Sequence, residues 1–267
     1  MTNSLNLVRR ARPLLGTIVE VGIYSEDSLE ARELIGKAFS AVERIQTRMS
    51  RFEPDSEVSR FNRSNVDDIT AVSQELYEVI EFGLELSNLS GGVFSVSHGS
   101  SEVVRMIGPH FLKRVAVGDI DLGGIAKGYA VDCAIQAMRQ ERVASGYVNA
   151  GGDIRCFGKP YPILVRNPKR LSESIASLDL LDAAFATSGN YDLSEGEEQS
   201  GVVVNKVGEQ SIPLGYSASI MALDCVTADA LTKCLLIMKD SCSPLLKRYE
   251  ARGFIADGVK VTGYPNN

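Results

Sequence analysis

The run Asp121-Leu122-Gly123-Gly124-Ile125-Ala126-Lys127-Gly128 is the part of this sequence best suited to holding a charged ligand. Glycines let the main chain approach a ligand closely, N–H groups at the start of a helix attract anions, and Lys127 adds a positive charge. A small molecule carrying phosphate is the chemistry such a turn serves. Its spacing is neither the G-x-x-x-x-G-K-[ST] of a P-loop nor G-x-G-x-x-G. Taken alone, the run equally describes a tight strand-to-helix turn that holds nothing. Two more polar turns follow it, Asn149-Ala150-Gly151-Gly152-Asp153 and Thr187-Ser188-Gly189-Asn190-Tyr191.

Composition removes several other chemistries. The 267 residues carry 28 Lys and Arg against 34 Asp and Glu, a net charge of −6. A nucleic-acid groove needs clustered cations, so no nucleic-acid partner is expected, although a local basic pocket for one phosphate ligand remains open. The five cysteines are spread without a C-x-x-C pair, the pattern of reduced thiols and not of a zinc site or disulfide framework. Only His98 and His110 could serve a hydrolase triad, and no G-x-S-x-G elbow occurs. No apolar run approaches the ~18 residues of a membrane span. Arg9, Arg10 and Arg12 precede an apolar run from Pro13 to Val19, but Glu20 ends it and no cleavage site follows. That run reads as the entry to a β-strand, and the expected setting is the cytoplasm, with no membrane partner.

These residues need elements to position them. Thr17 to Tyr24 reads as a strand. Asp27 caps a helix, with Glu30 as its capping-box partner and Ala31, Leu34, Ile35, Ala38, Val42, Ile45 and Met49 on one stripe. Polar residues from Arg51 to Asp68 read as a loop. A second helix spans Gln74 to Leu89, with Leu76, Val79 and Ile80 inward, and stops at Gly91-Gly92. The Leu122–Gly128 turn leads into a helix with Val131, Ala134, Ile135 and Met138 on one face. Tyr147-Val148, Ile154 to Phe157 and Ile163 to Arg166 read as strands. Thr227 caps a helix with Leu231, Cys234, Leu235 and Met238 inward. Ser243-Pro244 opens another that Gly253 closes, and Phe254 to Thr262 forms a hairpin around Asp257-Gly258. Strands and helices mix without regular alternation, which predicts an α+β fold. At about 150 residues per domain the length allows one large domain, and 1–267 is read as one.

The polar segments are weak singly, but their order is specific. Met49-Ser50-Arg51-Phe52, Ser56-Glu57 and on to Asn62 are followed by Asp121 to Asp132, Val148 to Ile154, Thr187 to Tyr191 and Ala228 to Lys233. In that order, over nearly the whole chain, they resemble the FAD:protein FMN transferase family, also called ApbE, as a divergent member would. The resemblance implies a two-lobed mixed fold with a central flavin-nucleotide cleft. It implies FAD as substrate, Mg²⁺ as cofactor, cleavage of the pyrophosphate and transfer of FMN to a Ser or Thr of an acceptor protein. Some relatives instead hydrolyse FAD to FMN and AMP. A metal bridging a pyrophosphate would stabilise charge developing in phosphoryl transfer, and hard oxygen ligands suit Mg²⁺.

Carried over residue by residue, the resemblance makes Leu15, Phe52, Phe94, Asp121 and Lys127 flavin contacts. It makes Gly124 and Asp229 metal positions, and Asp229 and Thr232 catalytic. Asp229 is read as opening its helix, where an anion is favoured. The sequence also departs from the family. Lys233 stands where the family has a Thr, and Asp229, Thr232 and Lys233 share a helix face, so the Lys233 ammonium could occupy the cation's place. Gly201, Val204 and Asn205 replace a His, an Asp and a Pro, Phe94-Ser95-Val96-Ser97 lacks an Asp, and Leu15 replaces a Met. His98 lies beside the third of these. A catalytically impaired relative that holds FAD or another nucleotide is therefore the alternative to a working transferase.

Overall fold

Two-residue reversals organise the N-terminal half of the main sheet. Leu15 and Gly16 both take left-handed backbone, φ 55° and 70°, the pair of values that a tight hairpin demands. They join β1 (Asn6–Leu14) to β2 (Thr17–Ser25) in register, with Leu14 opposite Thr17 and Asn6 opposite Ser25. The computed structural model describes residues 5–98, 102–191 and 214–265. Along it follow α1 (Ser28–Met49), α2 (Glu57–Arg63), β3 (Ile69–Ala71), α3 (Gln74–Leu89), β4 (Ser97–His98), β5 (Val104–Gly108), β6 (Phe111–Arg114), β7 (Asp119–Ile120) and α4 (Ala126–Gln140). Next come β8 (Gly146–Ala150), β9 (Asp153–Phe157), β10 (Tyr161–Asn167), β11 (Arg170–Leu180), β12 (Ala184–Asn190) and β13 (Tyr216–Ala222). The chain continues through α5 (Cys225–Met238), a 3-10 turn (Lys239–Cys242), α6 (Ser243–Arg248), β14 (Arg252–Ala256) and β15 (Val261–Tyr264).

Eight strands form one sheet in the order β1-β2-β8-β9-β12-β13-β14-β15, every pairing antiparallel. Alternation decides what lies on each face. Val19, Val21, Val148, Phe157, Ala218 and Ile220 look toward α1, α4 and α5 in one large core. Ile154, Cys156, Phe185 and Met221 look the other way and pack under the β10–β11 ribbon. Helices on one face of an antiparallel sheet make the fold α+β, as the sequence predicts.

The helix periodicities hold well. Asp27 caps α1 through bonds from the N–H groups of Leu29 and Glu30, and Ala31, Ile35, Ala38, Val42, Ile45 and Met49 are buried. α3 has the limits read from the sequence. Four readings need correction. The Arg51–Asp68 stretch is not all loop: Ser56 caps α2, whose Val58 and Phe61 are fully buried at helical spacing. Thr187 to Asn190 is not a turn but the end of β12, paired along its length with β13. Thr227 does not cap α5: Asp224 does, accepting from the Thr227 N–H at 2.9 Å. Gly253 does not close α6, which ends at Arg248, and the chain reverses at Glu250 (φ 50°). At Thr187–Asn190 a long-range partner, β13, outweighed the local signal, whereas the α5 cap lies only three residues before Thr227. No helix among the described residues is long and apolar enough to cross a membrane.

Candidate functional site

A pocket of about 330 Å³ opens beside the start of α4, lined among others by Leu15, Met49, Phe52, Asp121, Gly123 and Lys127. The β1–β2 turn, the end of α1 and the glycine turn thus meet at one place. Four of the five residues read as flavin contacts border it. Phe52 is 83% exposed, and the Arg51 guanidinium lies 5.2 Å from its ring centre. Phe94 does not reach the pocket: it is buried in the core, and its ring lies beneath Gly124.

The glycine turn is less open than its sequence suggests. Asp121 Oδ1 accepts from the Gly123 N–H at 2.9 Å, and Leu122 O accepts from the N–H groups of Ile125 and Ala126. The Gly128 N–H is given to Asp229 Oδ2 at 3.2 Å. Arg51 holds the other oxygen of Asp121 at 2.7 Å. Much of the amide array expected to receive an anion is therefore spent on shaping the turn, and the charge available to a ligand comes from side chains.

Those side chains form a cluster where α4 crosses α5. Lys127 bonds to Asp153, at the start of β9, and lies 3.6 Å from Asp229 Oδ2. Lys233 bonds to Asp229 Oδ1 and, at 2.8 Å, to the Asp229 main-chain oxygen. Asp229 is 1% exposed and Asp153 3%. Asp229 lies in the second turn of α5 and does not open the helix, so its partners, not the helix start, hold its charge. Thr232 is fully buried, bonded to Asp229 O at 2.6 Å and to Ser188 at 2.7 Å, and does not line the pocket. It fixes the Asp229 turn against β12.

Two residues of this arrangement were missed in the sequence. In the sequence Asp153 is only the end of a glycine turn. Asp132 closes the Asp121–Asp132 segment and anchors the start of α5, accepting from the Cys225 and Val226 N–H groups at 2.9 and 2.8 Å and from Arg155 at 2.6 Å. A lone carboxylate between the buried Val131 and Ala134 was the available signal, since burial of a charge demands partners.

Burial pushes both Asp153 and Asp229 up, yet the two end on opposite sides of the ordinary carboxylate value. At Asp229, Lys233 and then Lys127 outweigh burial and hold the carboxyl low. Asp153 is raised to about 6, because burial and the Asp229 charge exceed what Lys127 and Lys233 return. Lys127 would be lowered by burial, but Asp229 and Asp153 hold it above its usual value. For Asp153 the folded-state value lies above the unfolded ~3.9. Its stabilising contribution is thus complete below pH ~4 and lost as pH rises through about 6. Asp229 has the opposite sign: its contribution is present above the unfolded value and lost as pH falls. The expected result is that the stability of Asp153→Asn climbs relative to the parent between about pH 4 and 6, checked by urea melts across that range. Parallel profiles would exclude this titration.

The cluster also answers whether a divalent cation fits. Mg²⁺ needs oxygen lone pairs at ~2.0–2.1 Å in near-octahedral order. Both Asp229 carboxylate oxygens and its carbonyl are already taken by Lys233, Lys127, Thr232 and the Gly128 N–H. The Lys233 Cε lies 3.6 Å from where a Gly124 Cβ would stand, so the lysine stem crosses between the two expected metal positions. A lysine has donors only. No cluster of three or more His, Cys, Asp or Glu suited to a metal occurs among the described residues. The residues as arranged do not fit Mg²⁺. Gly201, Val204 and Asn205 lie outside the described residues.

Fold and site together describe an α+β protein with a cleft between a hairpin turn, a helix end and a glycine-rich strand-to-helix turn, and with Lys127 joining that cleft to a buried lysine–aspartate cluster. The chain belongs to the ApbE family, whose sequence model matches residues 15–116 and 102–252. It is 24% identical over 271 residues to the FAD:protein FMN transferase of Vibrio cholerae, covering 86% of this chain and 81% of the relative. It is 26% identical over 264 residues to the FAD:protein FMN transferase of Chlamydia pneumoniae, covering 84% and 80%. Among solved structures, the flavin transferase ApbE from Vibrio cholerae superposes with a TM-score of 0.82 at 22% identity, over 98% of both chains. The ApbE protein from Thermotoga maritima gives 0.82 at 24% identity, over 96% of both. These likenesses confirm the fold.

Proposed function

We propose that this protein binds FAD in the Leu15–Phe52–Lys127 pocket and acts as a FAD:protein FMN transferase. The acceptor's Ser or Thr oxygen forms a bond to the FMN phosphorus as the phosphorus–oxygen bond to AMP breaks, AMP leaves, and the hydroxyl proton passes to solvent or the departing phosphate. One observation carries the reading: the β1–β2 turn and two of the segments that resemble the family, at Met49–Phe52 and Asp121–Lys127, meet at a single pocket that Lys127 helps to line. Leu15 and Phe52 offer apolar surface to the isoalloxazine ring, and Lys127 offers charge to the diphosphate. Asp121 becomes available to the flavin when Arg51 releases it. Asp229 and Thr232 act here as positioning residues that hold Lys127 and Lys233. A cytoplasmic setting is part of the proposal, supported by five cysteines that are all free thiols, four of them buried.

A second reading, a relative that holds FAD without cleaving it, is favoured by the Lys233–Asp229 pair. One experiment separates the outcomes. The purified protein is incubated with FAD, with and without cell extract as a source of acceptors. Flavin fluorescence reads binding, chromatography reads AMP and FMN, and a denaturing gel reads covalent flavin. The proposal expects tighter binding of FAD than of FMN or riboflavin, AMP release, and a fluorescent protein band. Free FMN with AMP and no band means a pyrophosphatase. Binding without AMP supports the second reading, and equally weak binding of all three flavins overturns both.

A further inference from the structure

We infer that Lys233 is the resident cation of this site, a tethered ammonium in the place where a divalent ion would sit, so that nucleotide binding here needs no metal. The half concerning nucleotides rests on the FAD-binding proposal above; the half concerning metals does not.

Three observations support it. First, Asp229 is saturated from within the chain, with Lys233 on Oδ1 and the Gly128 N–H and Lys127 on Oδ2. Second, the four charged groups balance without an ion: Asp153 and Asp229 carry two negative charges, Lys127 and Lys233 two positive ones. A divalent cation entering beside two ammonium groups would meet repulsion in a site whose carboxylates are nearly fully buried. Third, the lysine stem runs beside residue 124, with the Lys233 Cε 3.6 Å from where a Gly124 Cβ would stand, so it occupies the ground between the two expected metal positions. Asp229 and Lys233 are also four apart on α5, the order in which an acid and a base on one helix pair best. The tether makes this cation permanent, because intramolecular binding holds it at high effective concentration and no chelator can remove it.

The cluster still has positive charge to present. Lys127 keeps 35% and Lys233 17% of its side-chain surface exposed. Lys233 uses two of its three ammonium protons on Asp229. The diphosphate of a dinucleotide approaching across Gly123 and Gly124 would meet two lysines and no metal-bound water.

The experiment uses the full chain, with Mn²⁺ followed by electron paramagnetic resonance and FAD by fluorescence. Expected for the parent are no stoichiometric Mn²⁺ and an FAD affinity unchanged, within about twofold, between EDTA and Mg²⁺. Lys233→Thr, which removes the ammonium and supplies an oxygen, is expected to bind one Mn²⁺ per chain, and Asp229→Asn added to it to lose that ion. The inference is overturned if the parent binds one Mn²⁺ that Asp229→Asn abolishes. It is overturned equally if EDTA weakens FAD binding by the parent about tenfold or more. A Lys233→Thr protein that melts as the parent does and binds no Mn²⁺ also overturns it. If the parent binds no FAD under any condition, the flavin proposal fails while the Mn²⁺ measurements still decide whether Lys233 stands in an ion's place.

Discussion

Replacing Asp229 by Asn is expected to destabilise the protein more than any other change within its charge cluster. The variant leaves Lys127 and Lys233 facing a single carboxylate, Asp153, in a site where both acids are almost wholly buried. Removing one partner of a buried pair costs about 3–5 kcal/mol, because the partner left behind stays desolvated. The 17% exposure of the Lys233 side chain places the loss toward the lower end. At ~2–4 °C per kcal/mol for a chain of this size, a loss of about 3 kcal/mol should lower the melting temperature by roughly 6–12 °C. Lys233→Met should restore much of this loss when combined with Asp229→Asn, since the unpaired charge is then removed as well. A thermal-melt cycle of the two single variants and the double variant measures the coupling directly. Additive losses would show that Asp229 and Lys233 do not act as a pair.

Gly128→Ala is expected to be nearly as damaging, for a steric reason. A Cβ at this position would lie 2.3 Å from the main-chain oxygen of Cys225 and 2.9 Å from the Asp229 Cβ. The obstacle is the backbone of α5, not the end of a flexible side chain, so α4 and α5 would have to move apart. Overpacking of this kind costs ~1–3 kcal/mol or more, and the Gly128 N–H bond to the Asp229 carboxylate is worth about 1.5–3 kcal/mol besides. Helix propensity acts the other way, favouring Ala over Gly by about 1 kcal/mol. A net loss of stability in urea melts, accompanied by weaker FAD binding as Lys127 draws away from Asp229, is the expected outcome. A stabilised variant would mean that the two helices are not in close contact at Gly128.

Elements whose determinants lie close together in sequence are legible in it. The apolar stripe of α1 and the cap at Asp27 depend on residues within a few turns of one another. The limits of α3 and the hairpin at Asp257-Gly258 are likewise local. The order of the polar segments disclosed the family, because each segment keeps its residue types in place whatever the intervening chain does. The Lys233–Asp229 pair was also legible, since four residues on a helix are neighbours before any tertiary contact forms. Tertiary structure alone decided the rest. Thr187, Ser188, Gly189 and Asn190 have the composition of a turn, yet pairing with β13 and the Ser188–Thr232 bond make them part of a central strand. Asp153 became a partner of Lys127 only when β9 was laid beneath α4. Asp132 became the anchor of α5, and Gly128 the point of closest helix approach, only when α4 and α5 crossed. The Gly128–Asp229 bond joins residues 101 positions apart. Periodicity and capping report interactions within a helical turn or a hairpin, whereas the charge balance of a buried cluster is set by which distant elements are packed together.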